Sequence, residues 1–296
     1  MYKKLIAIVG TNASGKSSLG LKLAKEFGAE IVSADSRQVY KHLDLGTGKV
    51  SVKELQEVPH HLINILELNQ PFSLAEYQER AYQAIDSICA RGSLPFLVGG
   101  TGLYTRAVIE GYNLVSAPPN YQLRAELADK SANELRTILK ERGDNAVPNT
   151  QNIRHLVRRI EKLKSGSAED KESTPRYNTL QLGLTWDRAI LHKRIEERLD
   201  ARLEQGMVEE VQKVLAMGAT AEFLEDLGLE YRLTYRYIKG DYASFRAYRD
   251  DLFTQIRRFA KRQMTWFRKE KNIIWLDSSS NYYAQAKELI TNFLSK

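Results

Sequence analysis

The chain contains very little cysteine and no long hydrophobic run. Cys89 is the single cysteine among 296 residues, so no internal disulfide can form, which is typical of a reducing compartment. No second cysteine lies near any of the five histidines, which excludes a zinc site of the Cys/His type. No apolar stretch approaches the roughly 20 residues of a spanning helix, and the run 5–9 is too short for a signal sequence. We therefore expect a cytoplasmic protein that does not contact a membrane.

The composition is that of an ordinary globular protein with an excess of positive charge. Hydrophobic residues make up 43% of the chain and charged residues 27%, which disfavours wholesale disorder. The net charge of +7 favours a polyanionic partner. Charge alone does not identify that partner, because many cytosolic proteins simply have solvated basic faces.

Strand and helix patterns alternate in the first third of the chain. Buried strands are predicted at 5–9, 30–35 and 94–98, and helices at 17–27 and 73–92. Strands that alternate with helices predict a parallel sheet with helices on its faces.

The pattern changes near residues 116–119. From there to about residue 179 the sequence predicts helical stretches, at 123–139 and 153–163, but no strand, and residues 164–177 are typical of a flexible connection. A strand resumes at 181–185. We therefore predict an α/β core at residues 1–115 and 181–296, interrupted by an all-helical insertion at 116–180. The rest of the core is predicted to contain helices at 188–216, 250–269 and 282–294 and a strand at 273–276.

A phosphate-binding loop follows the first predicted strand. The segment 10–17 has P-loop spacing and lies between a buried strand and a helix, as that motif requires. Its glycines let successive N–H groups point inward at phosphate oxygens, and the helix that begins there adds its positive end. Lys16 is predicted to neutralise a terminal phosphate and Ser17 to ligate Mg²⁺. The predicted phosphate cradle consists of Gly10, Thr11, Asn12, Ala13, Ser14, Gly15, Lys16 and Ser17.

Two polar residues stand at the ends of the next strands. Asp35 ends the second predicted strand and Thr101 follows the third, so both are expected at the sheet edge that carries the P-loop. Asp35 could accept a proton from a nucleophile or cap a turn, and Thr101 could be a helix cap. No acid ends the strand 94–98, which argues against a motor or switch NTPase and leaves small transferases, including kinases.

Seven segments together resemble one family, the tRNA dimethylallyltransferases, also called isopentenyl-tRNA transferases. They are GTNASGKS (10–17), ADSRQVY (34–40), LGTGK (45–49), PHHLIN (59–64), GGTGLY (99–104), LHKRIEERLDARLEQGMVEEV (191–211) and AKRQMTWFR (260–268). They span nearly the whole chain in the family's order. Two departures stand out, since Asn64 replaces the family's usual Asp and His155 its usual Arg.

The resemblance implies a nucleoside-kinase-like core and a helical insertion that clamps the anticodon stem-loop of tRNA. It implies transfer of a dimethylallyl group from dimethylallyl diphosphate, bound with Mg²⁺ on the P-loop, to an adenine drawn out of its stack. Asp35 would be the general base, Thr101 would lie near the bridging oxygen of the leaving group, and Lys16 and Arg198 would stabilise the departing diphosphate. The resemblance, with the basic stretches, implies RNA contacts at Asp35, Ser36, Arg37, Gln38, Thr101, Arg124, Arg154, Arg158, Arg258, Lys261 and Arg262. A monomer is expected.

The helix predicted at 250–269 has two contrasting faces. Leu252, Ile256 and Ala260 are among the apolar residues that fall on one face, and six basic residues fall on the other. That basic face suits a phosphodiester track, although a solvated face is the ordinary interpretation. Gln263 falls among the apolar residues, so we predict that its amide is hydrogen-bonded inside the protein. Trp266 is also predicted on the apolar face.

Three other functions compete with prenyl transfer to tRNA. A small P-loop kinase accounts for the P-loop and Asp35 but not for the basic helix. A catalytically silent RNA-binding protein accounts for the basic surface but not for Asp35 and Thr101 at the crevice. A prenyltransferase that uses free AMP fits the size of the chain less well.

Overall fold

In the computed structural model, the first predicted strand lies near the centre of a parallel sheet. The structure describes residues 3–114, 120–144, 146–165 and 173–296. Within them the sheet has six strands in the order β3-β2-β4-β1-β5-β6, and every neighbouring pair is parallel. The strands are β1 Lys4–Gly10, β2 Ala29–Ser33, β3 His60–His61, β4 Leu94–Gly99, β5 Asn178–Thr185 and β6 Ile273–Asp277.

Helices alternate with or follow these strands along the chain. In chain order they are α1 Lys16–Phe27, α2 Val52–Glu57, α3 Leu74–Ala90, α4 Gly102–Glu110, α5 Tyr121–Glu126, α6 Ala132–Glu141, α7 Ile153–Lys164, α8 Arg188–Glu204, α9 Met207–Ala216, α10 Ala221–Leu227, α11 Leu229–Ile238, α12 Phe245–Phe267 and α13 Tyr282–Leu294. None of the helices in the described part of the chain combines the length and the apolar character needed to cross a membrane.

The central strand β1 has side chains in both layers of the core. Ile6 and Ile8 pack with residues of α1 and α13 on one face of the sheet, whereas Leu5 and Ala7 pack with residues of α3 and α4 on the other. This alternation follows from the two-residue period of a strand, and it explains why the predicted run 5–9 is apolar at every position. The predicted α/β fold with helices on both faces is confirmed.

Local signals in the sequence fix the helix ends. Ser73 begins α3 with a capping box, in which its side chain accepts from the backbone of Glu76 and the Glu76 side chain accepts from the backbone of Ser73. Helix α1 ends at Gly28, which adopts a left-handed conformation with φ 58°.

Several predicted elements are wrong in extent. The single helix predicted at 188–216 is two helices, α8 and α9, because Gly206 adopts φ 98° between them. The strand predicted at 30–35 ends at Ser33, so Asp35 lies in the following turn. The change of pattern at 116–119 lies outside the described residues, as does half of the connection predicted at 164–177.

The chain divides into two compact units. The first comprises residues 1–111 and 175–296 and contains the sheet, and the second comprises residues 112–174. In the described part of the second unit, α5, α6 and α7 pack around buried leucines such as Leu135 and Leu156. Strand β5 begins at Asn178, three residues before the strand predicted at 181–185.

Candidate active site at the carboxyl edge of the sheet

The P-loop wraps tightly between β1 and α1. Ala13 and Gly15 have left-handed backbones, with φ of 60° and 92°. The carbonyl groups of the loop are held from outside, since the Trp186 indole donates to the Ser14 carbonyl (2.7 Å) and the Arg194 guanidinium donates to the Ala13 carbonyl (2.9 Å). The N–H groups of Asn12, Ala13 and Ser14 already donate to acceptors within the protein. The N-terminus of α1 is therefore the part of the loop that is left to bind an anion.

Lys16 lies among other charges at the centre of the site. Its ammonium donates to the Thr11 carbonyl at 3.2 Å. Burial, reinforced by the Arg198 guanidinium and opposed by Asp35, lowers the pKa of Lys16 from 10.5 to about 8. An anion bound on the loop would supply a negative counter-charge for this ammonium.

Three arginines extend the positive charge along one side of α8. Arg194, Arg198 and Arg202 follow one another at four-residue intervals, which places them on one helix face. Arg198 donates to the Asn12 side-chain oxygen at 3.0 Å. Burial, together with Arg202, lowers the pKa of Arg198 to about 9. Arg198 was predicted from the family resemblance alone, whereas the four-residue spacing could have identified Arg194 and Arg202 from the sequence.

Asp35 and Thr101 meet at the ends of β2 and β4. One oxygen of Asp35, Oδ1, accepts hydrogen bonds from the backbone of Arg37 (2.9 Å) and Gln38 (3.4 Å). The Thr101 hydroxyl accepts from the backbone of Ser36 at 3.2 Å. Asp35 therefore caps a turn through Oδ1, and its Oδ2 makes no hydrogen bond within the described residues. The cap interpretation is correct for Oδ1 and leaves a role as a base open for Oδ2.

Gln263 joins the P-loop to the loop that carries Thr101. Its side-chain oxygen accepts from the Asn12 backbone (2.8 Å) and its side-chain nitrogen donates to the Gly100 carbonyl (2.9 Å). The prediction that this amide is hydrogen-bonded inside is confirmed. Gly99 lets the two strand ends approach, since a Cβ atom there would lie 2.1 Å from the Ala34 carbonyl oxygen.

Two neighbouring spaces lie beside these residues. A cleft of about 540 Å³ is lined by Lys16, Ser17 and Arg198, and a cavity of about 40 Å³ by Lys16, Asp35 and Gln263. Lys16 lines both, so the space beside Asp35 adjoins the cleft over the P-loop.

The cleft has the donor chemistry that a hard cation requires. The exposed Ser17 hydroxyl lies on it, and the carboxylates of Glu54 and Glu197 line it. No cluster of three or more candidate metal ligands occurs within the residues that the structure describes. The site therefore fits a divalent cation that is held mainly by a bound phosphate compound, with Ser17 as the protein ligand.

Three residues near Asp35 that were predicted to contact RNA already make hydrogen bonds within the protein. Arg37 donates to the Leu227 carbonyl at 2.6 Å and lies over the Phe259 ring. Gln38 donates to the Gly48 carbonyl at 3.3 Å. Ser36 donates its backbone N–H to Thr101, as described above. Of these three residues, Arg37 lines the cavity beside Asp35.

Helix α12 presents its basic residues to solvent. Arg258, Lys261 and Arg262 are exposed, as predicted for the basic face. Arg257 is an exception, because it is partly buried and lies over the Phe253 ring at 4.5 Å. Trp266, predicted on the buried face, is 36% exposed and packs against Gly102 at the border of that face.

In the second unit, two of the residues predicted to contact RNA pair with the same carboxylate. Arg124 (2.8 Å) and Arg158 (2.9 Å) both donate to the buried Glu161, and their side chains remain 43% and 30% exposed. Arg154 and His155 are exposed on α7. The outer edges of the two paired guanidiniums are thus open to solvent, beside the exposed Arg154.

Comparisons with known proteins agree on one family. A family model described as IPP transferase matches residues 38–270. The chain is 42% identical to tRNA dimethylallyltransferase 1 of Geotalea daltonii over 99% of this chain and 96% of that protein. The crystal structure of a full-length tRNA isopentenylpyrophosphate transferase from Bacillus halodurans superposes with a TM-score of 0.74 at 35% identity, covering 99% and 96% of the two chains. A eukaryotic dimethylallyltransferase acting on tRNA has the same fold, with a TM-score of 0.81 at 24% identity over 99% of this chain and 80% of that one.

Proposed function

We propose that this chain, which belongs to the tRNA dimethylallyltransferase family, moves a dimethylallyl group from dimethylallyl diphosphate to an adenine of tRNA. The acceptor is the exocyclic N6 of the adenosine on the 3′ side of the anticodon, and the second product is diphosphate. The observation that supports this proposal most directly is the meeting of the P-loop with Asp35 in one crevice. A cytoplasmic location follows from the tRNA substrate.

The P-loop side of the crevice would bind the diphosphate. As the bond between the allylic carbon and the bridging oxygen breaks, its electron pair stays on that oxygen, and negative charge grows on the diphosphate. Lys16 and Arg198 are partly buried cations that hydrogen bonds hold at this place, so they would stabilise the leaving group with little reorganisation. Bound Mg²⁺, held by Ser17 and the phosphate oxygens, would add further positive charge.

Thr101 is suited to act on the bridging oxygen. Its hydroxyl accepts a hydrogen bond from the Ser36 backbone, which fixes the position of the oxygen. The hydroxyl hydrogen has no acceptor within the described part of the chain and is free to donate to the leaving group. This donation would favour ionisation of the allylic diphosphate.

Asp35 would accept the proton from the adenine amine. That amine is a weak nucleophile because its lone pair is delocalised into the ring, and a carboxylate that takes its proton assists attack on the allylic carbon. Oδ1 of Asp35 is fixed by the backbone of Arg37 and Gln38, which leaves Oδ2 for the substrate. The nitrogen–carbon bond forms as the carbon–oxygen bond breaks.

The exposed basic residues would bind the RNA backbone. Arg258, Lys261 and Arg262 on α12 carry charge toward solvent on the element that also supplies Gln263 to the active site. Arg124, Arg154 and Arg158 of the second unit provide another basic surface. Contacts of this kind release counterions and give affinity that depends on salt.

A transfer assay tests the proposal. The protein is incubated with Mg²⁺, radiolabelled dimethylallyl diphosphate and an anticodon stem-loop with adenosine 3′ of the anticodon. We expect label in the RNA, and none when that adenosine is replaced by purine riboside, which lacks the exocyclic amine. Equal labelling of both RNAs would contradict N6 as the acceptor. No labelling of RNA, with consumption of ATP in a parallel incubation that contains ATP, would support a kinase instead.

A further inference from the structure

The loop of residues 44–49 separates the two spaces of the active site. Gly46 and Thr47 line the small cavity that contains Asp35, whereas Gly48 and Lys49 line the cleft over the P-loop. Its shape therefore affects both substrates. Neither the P-loop nor Asp35 supports this loop directly, so other residues must fix it.

Glu210 holds one end of this loop with an unusual number of hydrogen bonds. Its Oε2 accepts from the backbone of Asp44 (2.9 Å) and Leu45 (2.8 Å), and its Oε1 accepts from the backbone of Gly46 (3.1 Å). The Tyr231 hydroxyl donates to the same Oε1 at 2.7 Å. Charge-assisted bonds of this kind are stronger than neutral ones, and here four converge on one carboxylate.

The other end of the loop is held by Lys49. Its buried ammonium donates to the Tyr40 carbonyl (2.8 Å), to the Asp44 carboxylate (2.6 Å) and to the side-chain oxygen of Asn64 (2.6 Å). Asn64 adopts φ 56°, a backbone conformation that asparagine tolerates well. With both ends anchored, the loop has little freedom to shift.

The glycines of the loop fit directly against active-site residues. A Cβ atom on Gly46 would lie 2.6 Å from the Tyr231 ring. One on Gly48 would lie 1.6 Å from an Arg202 nitrogen and 2.1 Å from an Arg198 nitrogen. The Gly48 carbonyl accepts from Arg198 (3.4 Å) and from Gln38 (3.3 Å). The position of this carbonyl therefore helps to place the Arg198 guanidinium, which is proposed to stabilise the departing diphosphate.

We propose that Glu210 is a positioning residue for the transfer reaction, acting through the 44–49 loop on Arg198. The inference rests on the proposed role of Arg198 at the leaving group. Glu210 itself lines neither the cavity nor the cleft, so it would not touch the substrates. Its loss would free three backbone N–H groups, and the Gly48 carbonyl would no longer hold Arg198 in one place.

The test compares two neighbouring glutamates on α9. Glu210→Gln keeps the size of the side chain but places an amide group where N–H donors converge. Glu209→Gln removes the same charge from the same first helical turn at an exposed position, and is the matched control. We expect Glu210→Gln to lower kcat by about tenfold or more with little change in the KM for RNA. We expect Glu209→Gln to stay within about twofold of the wild type in both constants, because no contact of the loop depends on it.

A double-mutant cycle with Arg198→Lys shows whether Glu210 acts through Arg198. The effect of Glu210→Gln on kcat should shrink to less than about threefold in the Arg198→Lys background, because coupled residues are not additive. Additive effects, or a Glu210→Gln variant as active as Glu209→Gln, would overturn the proposal. Wild-type activity of Arg198→Lys alone would instead count against the proposed role of Arg198, and the proposal would fall with it.

A milder variant covers the case in which Glu210→Gln does not fold. Tyr231→Phe removes one of the four hydrogen bonds and keeps the ring against Gly46. We expect it to reduce kcat by about two- to fivefold, in line with the loss of one hydrogen bond. A thermal unfolding temperature equal to that of the wild type, with this loss of kcat, would support positioning, whereas unchanged kcat would contradict it.

Discussion

Replacing Lys16 with methionine should stabilise the free protein while abolishing its binding of diphosphate. The folded protein holds the pKa of Lys16 at about 8 instead of 10.5, because burial and Arg198 disfavour the ammonium. At neutral pH the cost of keeping this group charged is therefore up to about 3 kcal/mol. Methionine fills similar space without charge, so we expect the unfolding temperature to rise by roughly 5–10 °C.

The pH dependence of this effect has a defined sign. Between about pH 8 and pH 10.5 the unfolded chain still binds the proton that folded Lys16 has lost, so the stability of the wild type rises with pH in this window. The difference between Lys16→Met and the wild type should be largest below pH 8 and should shrink toward pH 10.5.

Differential scanning fluorimetry with and without Mg²⁺ and inorganic diphosphate measures both effects. Lys22→Met is the matched control, because Lys22 is exposed on the same helix α1 and its loss removes the same charge. We expect the wild type and Lys22→Met to be stabilised by diphosphate and Lys16→Met not to respond. A Lys16→Met variant that is less stable than the wild type at pH 7 would refute the reasoning.

Three further predictions concern Gln263, the second unit and the basic helix. Gln263→Leu breaks both hydrogen bonds that join the P-loop to the Gly100 loop, so we expect the steady-state transfer rate to fall by about 10–100-fold. The fall should be smaller for Gln263→Glu, which keeps an acceptor. Full activity of the leucine variant would be inconsistent with the bridge. Glu161→Gln weakens the ion pairs with Arg124 and Arg158 and should destabilise the second unit by about 1–3 kcal/mol. Hydrogen exchange would detect this as faster exchange confined to that unit. Unchanged exchange there would argue against a stabilising role of Glu161. Lys261→Gln should weaken stem-loop binding and lower the slope of log affinity against log salt by about 0.7–0.9; an unchanged slope would mean that this residue contacts no phosphate.

The sequence was most informative where periodic patterns are long or a motif has fixed spacing. The apolar run of β1 and the capping box of α3 predicted their elements, because burial and capping act locally. The break between α8 and α9 was missed, since Gly206 sits inside a stretch of good helix formers. The two-residue strand β3 was also missed, because its pairing with β2 depends on tertiary context rather than on a local pattern.

The candidate site was predictable in its strand-end residues and less so in its supporting contacts. Asp35 and Thr101 follow from the rule that the carboxyl ends of parallel strands share one edge. The sequence predicted that Gln263 is hydrogen-bonded but did not identify its partners, because it does not reveal which loops approach α12. The carboxylate of Glu210 could not be distinguished from its exposed neighbour Glu209, since only the fold brings residues 44–46 to it.

The role of Asp35 as the base is tested most directly by single-turnover transfer with Asp35→Asn. Asparagine keeps the oxygen that accepts from Arg37 and Gln38, so the turn should be preserved. Diphosphate binding, measured by calorimetry, should match the wild type, because the P-loop is unchanged. The account predicts that transfer from bound dimethylallyl diphosphate to the stem-loop slows by about 10²–10⁴-fold. Transfer within a few-fold of the wild-type rate would contradict it.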